Sequence, residues 1–211
     1  MRYTRVIGGK LKASDLKQLH VNGYKDLKDS SDKVGDWVLD RSISKETARV
    51  YHNPVTGQSH VTHQGTKGAA DWLNNGAYVA GLSDVTHRAK ESERVQKRAE
   101  EKYKDLDTSG HSQGSVYARK YAADKSKVIE INGANKGDLT SSGTVIRSAS
   151  DPVSILGAPT RYIQGLFKKN NDLTTSAKLN PLQAHSLNIL DELGDQMVGG
   201  CMLCGRVKNS P

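Results

Sequence analysis

The side chains best suited to chemistry gather around one short segment, Gly110-His-Ser-Gln-Gly114. A serine with glycines two residues away on either side suits a sharp strand-to-helix turn, where the backbone has no room for a side chain at the flanking positions. Such a turn lifts the Ser112 hydroxyl clear of the strand and points the N–H of Gln113 toward a developing oxyanion. The implied chemistry is attack on an acyl group by Ser112, with Gly110, His111 and Gly114 shaping the turn. As a bare pattern it competes with an ordinary Gly/Ser turn, because the chain contains 20 glycines.

A serine nucleophile needs a base, and the base needs a group to orient it. In hydrolases built on a strand–turn–helix, the acid and then the base follow the serine in chain order. Of the seven histidines only His185 follows Ser112, so the base has a single candidate. Asp151 lies between them, directly after the apolar run Gly143–Ser148, whereas Asp138 and Asp172 sit in Gly- or Asn-rich loops and are weaker choices. In this order Ser112 attacks, His185 takes and returns the proton, and Asp151 fixes the imidazole tautomer. Taken singly, His185 also reads as a surface residue near a helix start, and Asp151-Pro152 as a turn starter. The reaction calls for neither metal nor organic cofactor.

The elements that must position these residues alternate between helix and strand. Ala13–Leu19 is a short helical patch, and Trp37–Leu39 an apolar cluster. Ala48–His52 and Ser59–His63 flank Asn53-Pro-Val-Thr-Gly57, a hairpin pattern. Ala69–Ala80 has helical apolar spacing, and a charged helix runs from Val85 to about Lys104 with a narrow apolar stripe. Helix Val116–Ala123, strands Lys127–Asn132 and Gly143–Ser148, and a helix over His185–Leu193 complete the series. This alternation predicts an α/β fold with a mostly parallel central sheet flanked by helices. One feature runs against it: Tyr103–Thr108, just before the turn, is more polar than the central strand of such a sheet usually is. The expected organisation is a polar N-terminal helical segment over 1–47, a catalytic core over 48–195 and a flexible tail over 196–211.

Composition limits the function classes. The 211 residues suit one domain, with 35% hydrophobic residues and a single Phe supplying a thin core. A net charge of +8 favours anionic partners such as acidic lipid headgroups or nucleic acid. The lysines lack aromatic interleaving, so a specific nucleic-acid groove is a weak reading. The first ten residues hold too short an apolar run for a signal peptide, and no stretch reaches transmembrane length. The two cysteines, Cys201 and Cys204, provide no disulfide framework, and the expected setting is a soluble protein in a reducing compartment or a virion.

Three blocks resemble the class 3, fungal-type triacylglycerol lipases of the α/β-hydrolase superfamily. His63-Gln-Gly-Thr-Lys-Gly-Ala-Ala-Asp-Trp-Leu-Asn74 is similar to the family's strand end and Gly-Ser/Thr turn. Gly110–Gly114 resembles its Gly-His-Ser-Leu-Gly elbow, and Val145–Val153 the strand leading to its aspartate. The resemblance implies an α/β-hydrolase fold, abridged because the spacings from Ser112 to Asp151 and His185 are short. It also implies that Thr66 and Gln113 form the oxyanion hole and that Trp72 lies near the acyl site, although Trp72 reads equally as core packing. Residues 74–100 hold no strongly apolar lid. A small soluble ester, or a phospholipid on an anionic membrane, is therefore as good a substrate as bulk lipid. Acyl-serine chemistry is shared with peptidases and acyltransferases.

Other motifs carry less. His60 and His63 fall on opposite faces of a strand, which disfavours a shared metal. Cys201-Met-Leu-Cys204 has zinc-knuckle spacing without a second pair. Met197-Val-Gly-Gly-Cys201 resembles the Gly-Gly sites cut by adenovirus-type maturation proteases. It supports a different class of function, a virion structural or membrane-interacting protein on a hydrolase fold with little catalysis.

Overall fold

The structure is a computed structural model and describes residues 11–65, 87–133, 143–152 and 171–199. Its frame is an eight-stranded sheet whose strands lie side by side in chain order. Strands β2 (Lys33–Val34), β3 (Trp37–Leu39), β4 (Ala48–His52) and β5 (Ser59–His63) pair antiparallel. From β5 the sheet is parallel through β6 (Leu106–His111), β7 (Val128–Ile131), β8 (Thr144–Ser148) and β9 (Asn171–Thr175). A separate ribbon pairs β1 (Leu11–Lys12) with β10 (Met197–Val198). The expected hairpin is β4–β5, and its turn is held by the Asn53 side chain accepting from the Val55 and Thr56 N–H groups.

Helices cover both faces. On one side lie α1 (Ala13–Tyr24) and a 3₁₀ segment, Leu187–Glu192. Leu16 and Leu19 of α1 join Tyr51, Ile129, Ile131, Ile146, Ile189 and Leu190 in the larger core cluster. On the other side, α2 (His87–Lys102) buries Val95 and Ala99 against Val50, Val61 and Leu106. Next to it α3 (Gly114–Tyr121) buries Ala118 against Val128. The strand alternation decides which residue meets which layer, so Val50 faces α2 while Tyr51 faces α1. In β7 the outward turn of the same alternation points Glu130 at α3, where it forms a buried ion pair with Arg119.

Three sequence expectations change. Residues 11–47 do not stand apart from the core, because β2 and β3 extend the main sheet and α1 fills its larger cluster. At the other end Met197 and Val198, within the tail expected from residue 196, are paired to β1. The helix expected over His185–Leu193 is broken in two: α4 (Pro181–Ala184), capped by the Asn180 side chain, and the 3₁₀ segment Leu187–Glu192. Between them Ser186 is extended (φ −81°, ψ 163°) and caps the second piece, which leaves His185 at a helix end rather than inside one. The helix expected over Ala69–Ala80, Trp72, Cys201 and Cys204 lie outside the described residues.

The polar stretch before the serine is the central strand all the same. Strand β6, Leu106–His111, is buried along its whole length, and the neighbouring elements supply the partners an apolar strand would not need. Thr108 accepts from the Gln96 side chain of α2 at 3.0 Å. Ser109 lies between His20 Nε2 at 2.8 Å and His60 Nε2 at 2.7 Å. A buried polar core is stable only while such groups are satisfied.

This core holds its histidines neutral. Burial pushes His60 and His111 down to about 3 and His63 to about 4, and pushes His20 well below 6.5 as well. The unfolded chain binds protons at these four rings below about pH 6.5 and the folded chain does not. Stability should therefore be full above about pH 6.5 and fall as the pH drops toward 4, by on the order of 1 kcal/mol per pH unit for each ring. Melting temperature measured from pH 7.5 to 5 tests this, and a flat profile would contradict it.

Candidate active site

The site is built where β6, β8 and α4 end. Strand β6 lies between β5 and β7, and the chain leaves it through Ser112 directly into α3. Ser112 adopts φ 57°, a left-handed conformation that costs a non-glycine residue roughly 1–2 kcal/mol. Three hydrogen bonds hold it there: its N–H donates to the Ile131 carbonyl at 3.0 Å, and its carbonyl accepts from the Ser115 hydroxyl at 2.6 Å and N–H at 3.1 Å. Ser115 thus satisfies the carbonyl of the strained residue.

The flanking glycines are required by space. A Cβ on Gly110 would collide with the Gly114 backbone, and one on Gly114 with the His63 carbonyl, closer than real Cβ contacts ever come. Gly65 passes on the other side, where a Cβ would lie 2.9 Å from Ser112 Cβ. Gln113 forms the N-cap of α3 in helical conformation (φ −58°, ψ −30°), so its N–H follows the serine at the helix start.

Ser112 and His185 are 73 residues apart in sequence and adjacent in space. Ser112 Oγ is 2.8 Å from His185 Nε2, and His185 Nδ1 is 2.8 Å from Asp151 Oδ1. Asp151 lies three residues beyond β8 and is fully buried; Ser112 and His185 are each 6% exposed. A carboxylate only accepts, so Nδ1 carries the hydrogen toward Asp151 and Nε2 is left to accept from the Ser112 hydroxyl. The described residues thus bring together Ser112, Asp151, His185, Gln113, Gly110, His111 and Gly114. Thr66 lies outside them. His60 and His63 reach opposite faces, one to Ser109 and the other to Gln96 at 3.0 Å.

A second layer was not legible in the sequence. His111 Nδ1 is 2.7 Å from the Tyr24 hydroxyl, and His111 Nε2 is 2.9 Å from the His185 carbonyl. The same Tyr24 hydroxyl accepts from the Gly65 N–H at 2.9 Å. Tyr24 sits at the end of α1, far from any motif, and no spacing rule links it to Ser112.

A mostly parallel central sheet flanked by helices, with a sharp turn leading from its central strand into a helix, is an α/β-hydrolase-like fold. No protein-family model and no curated protein sequence matches the chain. Among solved structures it is similar to the Lip2 lipase from Yarrowia lipolytica, at 12% identity and a TM-score of 0.43 over 67% of this chain and 73% of that one. A triacylglycerol lipase from Penicillium expansum is similar at 15% identity and a TM-score of 0.39, over 91% and 92% of the two chains.

Crowding at the turn gives a stability test. Gly114→Ala should cost about 3 kcal/mol or more, because the clash is with backbone. Gly35→Ala, at φ 58° with open space around it, should cost only the roughly 1–2 kcal/mol of a left-handed residue. Urea unfolding of the two variants measures the difference, and equal losses would contradict the steric account.

Proposed function

We propose that this protein hydrolyses carboxylic esters through an acyl-serine intermediate. The observation that carries the reading is a serine hydroxyl 2.8 Å from one nitrogen of a histidine whose other nitrogen lies 2.8 Å from a fully buried carboxylate. Ser112 Oγ attacks the ester carbonyl carbon while His185 Nε2 takes its proton. The developing imidazolium is stabilised by Asp151, which also holds the tautomer that leaves Nε2 free to act. The tetrahedral oxyanion is met by the Gln113 N–H, and Thr66 is the second donor that the sequence resemblance to class 3 lipases implies. Collapse of the intermediate expels the alcohol, which takes the proton from His185. Water then repeats the sequence on the acyl-serine to release the acid and regenerate Ser112.

The acyl ester of a lipid or phospholipid is the substrate class this reading favours. Leu179 and Leu182 are exposed on either side of Asn180-Pro181, at the start of the short helix that delivers His185. Apolar side chains left in water on the segment that leads to His185 suit an apolar acyl chain better than a polar one.

A fluorophosphonate probe, which phosphonylates an activated serine, is the direct test. The wild-type chain should label and Ser112→Ala should not; labelling of both, or of neither, would overturn the assignment. On p-nitrophenyl butyrate, Ser112→Ala and His185→Ala should each lose about 10⁴-fold or more in kcat, and Asp151→Asn about 10⁴-fold through the wrong tautomer.

A further inference from the structure

The chain Gly65–Tyr24–His111–His185 is fixed in direction by chemistry. The His185 carbonyl can only accept, so His111 Nε2 must carry its hydrogen and donate to it at 2.9 Å. Buried His111 is neutral, with its protonation pushed down to about 3 by burial and by His185 beside it. Its Nδ1 therefore has only a lone pair to offer, and the Tyr24 hydroxyl donates to it at 2.7 Å. The Tyr24 oxygen in turn accepts the Gly65 N–H at 2.9 Å. Every proton in the chain has one possible direction, and every polar atom in it has a partner.

From this geometry we infer that Tyr24 is a positioning residue that sets two sides of the site at once. Through His111 it holds the main chain of His185, and through Gly65 it holds the turn that abuts Ser112. The inference rests on the ester-hydrolase reading above. The rings pack as well as bond: Tyr24 meets His111 edge-on at 5.7 Å, and His111 lies tilted against His185 at 5.3 Å. His185 needs such a hold because it is not inside a helix. It caps the four-residue α4, and the extended Ser186 follows it.

Tyr24 can serve as an anchor because its own helix is fixed. The Tyr51 hydroxyl of β4 donates to the Leu19 carbonyl of α1 at 3.1 Å and accepts from the Asn22 side chain at 3.2 Å. At the other end of α1 the Ala13 and Ser14 N–H groups donate to the Gln196 and Gly194 carbonyls. A displacement of about 1 Å between nucleophile and base can cost roughly 100-fold in rate, so a single hydroxyl at this junction bears on turnover more than on affinity.

Tyr24→Phe in the full chain tests the inference, since it keeps the ring and removes only the hydroxyl. On p-nitrophenyl butyrate, kcat should fall roughly 10- to 100-fold with KM held within about twofold. The low-field proton NMR signal of the His185 Nδ1–H on Asp151 should weaken through faster exchange with water. His111→Gln, whose amide can both accept from Tyr24 and donate to the His185 carbonyl, should retain much more turnover than His111→Ala. A merely structural tyrosine would lower the melting temperature while leaving kcat per folded molecule and the NMR signal at wild-type values, and that result overturns the inference. Should the wild type show no turnover, the ester-hydrolase reading falls, and the NMR signal alone decides for or against the positioning role. Should Tyr24→Phe fail to fold, the two His111 variants decide it, with equal turnover counting against.

Discussion

The structure turns on one point of backbone crowding, where β6 hands the chain to α3. Gly110, Gly114 and His63 approach so closely there that no side chain fits at either glycine, and the residue between them is forced into a left-handed conformation. That residue is Ser112. Its strain is held by hydrogen bonds on both sides of its peptide unit, to Ile131 and from Ser115. Strain of this kind persists only where surrounding contacts over-determine it.

A polar central strand changes the kind of core this protein has. Most parallel strands bury continuous aliphatic runs, whereas β6 buries Asp, Thr, Ser, Gly and His after a single Leu. The usual apolar contacts are replaced by directed ones: Gln96 to Thr108, two histidines to Ser109, and Tyr24 to His111. Next door, Glu130 meets Arg119. Hydrogen bonds of this kind contribute little net stability compared with the hydrophobic burial they displace, but they admit only one arrangement of their partners. A thin supply of apolar residues and a precise site are thus two aspects of the same composition.

Much of the site was legible from local rules. The glycine spacing around Ser112, the single downstream histidine and an aspartate after an apolar strand are each readable because they depend on residue type and chain order. The hairpin and the charged helix were legible for a similar reason, since Asn53-Pro-Val-Thr-Gly57 and the α2 periodicity act over a few residues. What escaped depended on distant partners. Strand β6 reads as too polar until His20, His60 and Gln96 are placed around it. Strand β9, Asn-Asp-Leu-Thr-Thr, has little strand signal and forms at the edge beside β8. Residues 11–47 look detachable because their apolar positions are sparse, yet Leu16 and Leu19 have no exposed surface once α1 is docked.

The β1–β10 ribbon bears on the order of assembly. Leu11 pairs with Val198, and α1 packs on the 3₁₀ segment Leu187–Glu192, so the N-terminal helix completes its packing against some of the last residues described. During synthesis α1 must wait through almost the whole chain before those partners emerge. Closure over so long a loop is entropically costly, and folds rich in such distant pairings form slowly. Until α1 docks, the Tyr51 and Ile129 face of the sheet is open to water. Docking of α1 would then be the late step that seals this face.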